Sequence, residues 1–242
     1  EFRRVLFRSD ELVTSAALDL SVTGHPRVVV AGYARLGPYS ALNMMAARVD
    51  DTGQLDATFG TGGIAALPFV DDPNDVAQLF QASAAAFAVA VQPDGKVVLG
   101  GQAKDSKVYG SGYAYVVTRL TGTGATDPTF STVKVFAADG GLNDLSYVTG
   151  LTVDADGTIV TAFTASPGIS AQSYLIRVPA AGGTGDPAVR IYHDNMVSLR
   201  TLAPAPGQTR GQLVVGGTDM VLLYPQPSYD WILARYNPDF TA

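Results

Sequence analysis

Four times along the chain an apolar run ends in arginine: Met45-Ala-Ala-Arg48, Tyr115-Val-Val-Thr-Arg119, Tyr174-Leu-Ile-Arg177 and Trp231-Ile-Leu-Ala-Arg235, at spacings of 71, 58 and 58 residues. Self-similarity at such a period marks stacked supersecondary units, each of which buries its apolar faces against its neighbours. An aspartate follows at a nearly fixed offset, Asp56 and Asp127 eight residues after their arginines and Asp186 nine after Arg177. A charged pair that recurs in three of the four units is expected to be structural. It reads as an ion pair or backbone clamp that holds the third strand to the turn after it.

The strands around each arginine can be placed from their turns. Ala88 to Gly101 and Gly150 to Thr161 share one order, an apolar strand, an Asp-Gly turn and a second apolar strand. Asp94-Gly95 and Asp156-Gly157 fit a two-residue type I′ turn, with positive φ at both central residues. A weaker copy runs from Leu20 to Gly32, with Gly24-His-Pro-Arg27 at its turn, and the fourth widens its turn to Pro204–Gly211. Leu55 to Gly60 recurs as Ala125 to Ser131, and a fourth apolar stretch follows each. No helical period intervenes. The 26 glycines, 14 prolines and only 16% charged residues suit short strands punctuated by turns. The expected fold is an all-β propeller of about four four-stranded blades, a slice of a larger ring, with units near 18–80, 84–145, 147–196 and 198–242.

Ala90-Val-Gln-Pro-Asp-Gly-Lys-Val-Val98, Thr118-Arg-Leu120 and Leu55-Asp-Ala-Thr-Phe-Gly60 resemble the delta-60 repeat family. The resemblance runs from about Leu18 to Thr241. It implies propeller repeats of unknown biochemical role, common in large bacterial proteins that are secreted or surface-attached, and so an extracellular or cell-envelope location. Further blades of the same polypeptide are expected as packing partners. Glu1–Ser9 resembles the translation of a sequencing adapter and is set apart from residues 10–242. It carries Arg3, Arg4 and Arg8 against Glu1, so the rest of the chain is more acidic than the net −6 of the whole.

Charge and motifs narrow the function. Four lysines and an acidic balance give no stripe to neutralise phosphates, so nucleic-acid binding is not expected. The apolar run Ala84–Val91 falls far short of the ~20 residues of a membrane helix. Without cysteine there are no disulfides, thiolate metal sites or thiol nucleophiles. Asp154-Ala-Asp-Gly157 and Asp71-Asp-Pro-Asn-Asp75 lack calcium-loop spacing and read as a hairpin turn and a solvated loop. His25 and His193 belong to no metal or nucleophile motif. No cofactor, metal site or catalytic residue is expected.

Tyrosine varies between units instead: Tyr39, Tyr109, Tyr113, Tyr224 and Tyr229 are expected on the loops joining second to third strands. Tyr115 and Tyr174, which abut strands, read as packing residues. A tyrosine ring is an apolar plate with a polar tip, suited to stacking on a sugar or anchoring a protein. The expected role is a non-catalytic scaffold that binds protein or glycan through this loop face. The alternative is a glycosidase-like propeller hydrolase drawing acids from Asp105, Glu11 or Asp144.

Overall fold

The computed structural model describes residues 11–35, 42–67, 83–104, 113–135, 145–166, 172–183, 189–191, 195–202, 204, 206–208, 210–221 and 228–241. Among the described residues all regular structure is β, in fifteen strands that run as consecutive meanders, each strand antiparallel to the one before it within a unit. Blade 1 is β1 (Glu11–Asp19), β2 (Arg27–Arg35), β3 (Leu42–Val49) and β4 (Ile64–Leu67). Blade 2 is β5 (Ser83–Val91), β6 (Val97–Lys104), β7 (Tyr113–Leu120) and β8 (Val133–Val135). Blade 3 is β9 (Leu145–Val153), β10 (Ile159–Ser166), β11 (Gln172–Val178) and β12 (Val189–Ile191). Blade 4 shows three strands among the described residues: β13 (Asn195–Thr201), β14 (Leu213–Val221) and β15 (Ser228–Tyr236). These are propeller blades.

Three apolar clusters glue the blades together. In the first, Val29, Met44, Ala46 and Phe59 of blade 1 meet Ala86, Val97 and Leu99 of blade 2. The second joins Val98, Tyr115 and Val117 of blade 2 to Val148, Ile159 and Phe163 of blade 3. The third joins Val160 and Leu175 of blade 3 to Leu199, Leu213 and Val215 of blade 4. Both faces of a middle blade are therefore apolar, which is why its strands read as near-continuous hydrophobic runs rather than alternating ones. Tyr115, Phe163 and Tyr174 stack in a column across the second interface, with ring centroids 4.3 and 5.1 Å apart. Tyr115 and Tyr174 are thus packing residues.

The first strands β1, β5, β9 and β13 neighbour one another in order and form the hub. Each carries a register shift near its start, at Val13/Ser15, Ala86/Ala88, Val148/Gly150 and Met196/Ser198. Such bulges sharpen local twist, as a strand at a crowded axis needs. Thr14 at the first bulge donates to the Ala86 carbonyl of the next blade at 2.7 Å.

The structure corrects two local expectations. Asp94-Gly95 and Asp156-Gly157 are not type I′ turns: among the described residues Phe240 is the only non-glycine at positive φ. Gly95 N–H bonds the Gln92 carbonyl (2.9 Å) and Gln92 N–H bonds the Lys96 carbonyl (2.8 Å). That is a three-residue loop, a type I turn closed by glycine in the left-handed region at φ 81°. Asp154 to Thr158 repeats it. In the first unit, β1 begins at Glu11, and Leu20–Val22 lies in the turn rather than a strand, because His25 N–H bonds the Val22 carbonyl and Gly24 takes φ 78°.

The same closure follows every third strand, with Gly53, Gly124, Gly182 and Phe240 each five residues after the arginine and each at positive φ. A Cβ on Gly124 would lie 2.6 Å from the backbone nitrogen of Gly60 in blade 1, whereas one on Gly53 would meet nothing within 4 Å. Gly53→Ala is therefore expected to cost only the left-handed penalty of about 1–2 kcal/mol. Gly124→Ala should cost clearly more, because blades 1 and 2 must also separate. Urea denaturation midpoints of the two variants check the order.

Candidate functional site

The recurring arginines sit inside the interfaces, with Arg48, Arg119 and Arg177 no more than 5% exposed. A buried guanidinium must find partners for its donors, and the local sequence supplies them. Arg119 Nε donates to Asp127 Oδ2 at 2.8 Å and Nη1 to Gln92 Oε1 at 3.1 Å. Its Nη2 reaches Thr129 Oγ1 at 3.4 Å, and its flat face lies 4.7 Å from the Phe130 ring centroid. The remaining donor capacity leaves the blade: Nη1 also donates to the carbonyl of Ala180, in blade 3.

Arg48 repeats the set, with Nε to Asp56 Oδ2 at 2.8 Å, Nη2 to Thr58 Oγ1 at 3.1 Å and Phe59 at 4.8 Å. Its Nη1 donates to the Gly122 carbonyl of blade 2 at 2.7 Å. Arg177 donates through Nη2 to the Pro238 carbonyl of blade 4. Gly122, Ala180 and Pro238 each lie three residues after the arginine of the following blade. Every clasp therefore takes the same carbonyl of the same turn, one blade on. A backbone bond runs beside two of them, from Gly60 N–H to the Thr123 carbonyl (2.8 Å) and from Ser131 N–H to the Ala181 carbonyl (3.0 Å).

A further acceptor belongs to the set and carries no sequence signature. It is the last residue before the first hairpin: Asp19, Gln92 and Asp154, with Arg48 Nη1 3.6 Å from Asp19 and Arg177 Nη1 3.0 Å from Asp154. Asp154, in the segment with superficial calcium character, is thus an arginine partner. Gly211 N–H of blade 4 also bonds it, at 2.9 Å. Blade 1 adds Arg27, 2.8 Å from Asp19 and 3.6 Å from Asp56, so two arginines interleave with two aspartates. In blade 4 the acceptor position is Leu202, and Arg235 is exposed. Asp186 lies outside the described residues.

Phe240 explains how blade 3 completes its cage. Eleven residues after Arg48 and Arg119 stand Phe59 and Phe130, but eleven after Arg177 stands Ala188. The ring comes instead from the next blade, with Phe240 centred 4.6 Å from the Arg177 guanidinium.

The hub encloses a cleft of about 450 Å³. Ala16, Ala17, Leu18 and Val28 of blade 1, Val89, Ala90 and Val91 of blade 2, and Thr152 and Val153 of blade 3 line it, with Arg200 of blade 4. Its walls are aliphatic, with one hydroxyl and one guanidinium. Glu11 begins β1 and does not line the cleft, and Asp105 and Asp144 lie outside the described residues. Tyr39, Tyr109 and Tyr224 also fall outside them. Tyr113 and Tyr229 are strand residues rather than loop residues. They pair with Lys104 and Met220, because the β6–β7 and β14–β15 ladders extend further than their hydrophobic pattern. Among the described residues no three His, Asp or Glu side chains gather as a metal site.

Two outcomes follow from the cages. Arg119→Ala strands a buried carboxylate and a carbonyl and is expected to destabilise by about 3–5 kcal/mol. His25→Ala breaks only the exposed pair with Asp51 and should cost under about 1 kcal/mol. Thermal unfolding of both variants compares them. The second outcome concerns acid. The Thr129 hydroxyl, with the Thr129 amide and Arg119, holds Asp127 below the usual carboxylate range against the opposing push of burial. For Asp56, burial pushes upward, and the Thr58 hydroxyl and amide together with Arg48 outweigh it. With folded values depressed, protons bind the unfolded chain first. Stability is then full above the unfolded value of ~3.9 and is lost as pH falls through the folded values. Asp127→Asn should be less stable at neutral pH and lose less on acidification, as denaturation midpoints across pH 2–7 would record.

Among known families, a β-propeller domain of unknown function (DUF5122) matches residues 92–130. That segment opens on Gln92 and closes on Phe130, so it contains the whole intrablade cage of Arg119. No curated protein matches the chain. The chain is built of β-propeller blades, and the second of them is similar to that domain of unknown function.

Proposed function

We propose that the chain is a non-catalytic propeller scaffold of a bacterial secreted or surface protein with delta-60 repeats, which binds a protein or glycan ligand through the loops joining second to third strands. The observation that carries this reading is how the repeated polar groups are used. Arginine, aspartate and threonine bond one another inside the blade interfaces, joined in blade 2 by Gln92. Charges committed in this way hold blades together and are not presented to a substrate. The tyrosines of the connecting segments differ in number and place from blade to blade, as a recognition surface laid on a constant frame would.

Tyr113 and Tyr229 stand where strands β7 and β15 emerge from those connections. A backbone position fixed at a strand end needs no ordering of its own on binding, which favours it as a site for an anchor. A glycan array probed with the chain is expected to show a ligand, with at least tenfold weaker binding for Tyr113→Ala at an unchanged melting temperature. An array without a hit removes the glycan arm and leaves the protein arm. Release of reducing ends from a bound glycan would overturn the non-catalytic reading.

A further inference from the structure

We draw no further inference here: the strongest candidate, the hub cleft where Thr152 and Arg200 meet the aliphatic wall of Leu18, Val28 and Val91, is bounded by the uncovered face of blade 1 at the start of the sequence, and nothing in the structure shows what covers it.

Discussion

One hydrogen bond organises this molecule: a buried arginine of one blade donates to a backbone carbonyl in the turn of the next. Apolar contact alone would hold two sheets face to face with little preference for how far one slides over the other. The guanidinium of Arg119, fixed by Asp127 at Nε, Thr129 at Nη2, Gln92 at Nη1 and the Phe130 ring on its face, turns its second Nη1 hydrogen to the next blade. The carbonyl it meets is set by the turn geometry of the neighbour. The clasp thus converts a greasy contact into one with a defined offset, and the parallel backbone bonds at Gly60 and Ser131 register the same offset.

Burying that much charge is tolerated because each buried charged side chain of the cages has an oppositely charged neighbour, although Asp19 Oδ2 and Arg27 Nε make no hydrogen bond. Blade 1 balances two arginines against two aspartates. Blade 2 replaces the inner aspartate with neutral Gln92 and places Lys96 4.0 Å from Asp127. Blade 3 restores a carboxylate at Asp154 and takes its aromatic lid from Phe240. Three compositions each place a carboxylate and an aromatic ring on the arginine, so the cage keeps its function while its components drift.

This drift decides what could be read from sequence. The arginines and their aspartates stand out, because side chains of one type recur at one offset. The meander of short strands is legible from the turns between apolar runs. The inner acceptor is not, since Asp19, Gln92 and Asp154 share only the capacity to accept a hydrogen bond. The carbonyls of Gly122, Ala180 and Pro238 have no letter of their own. The hairpin turns depart from the two-residue form that the sequence predicts because Asp-Gly serves both two-residue and three-residue loops. Pro93, whose ring fixes φ near −65°, marks the first central position of a type I turn and so favours the longer form. Tyr113 and Tyr229 lie in strands because ladder pairing continues beyond the last apolar residue, where backbone bonding alone carries the strand.

The regular spacing of clasp and carbonyl also bears on how such a chain can change its length over evolutionary time. A segment cut from one arginine to the next carries a donor at one end and the turn that accepts from its predecessor at the other. Copying or deleting that segment leaves every remaining donor facing an acceptor of the same kind, without compensating substitutions. Phe240 is the exception, since it serves Arg177 alone and ties blades 3 and 4 together as a pair. Gene duplication would therefore be expected to multiply units like blade 2 freely and to transmit blades 3 and 4 as a couple.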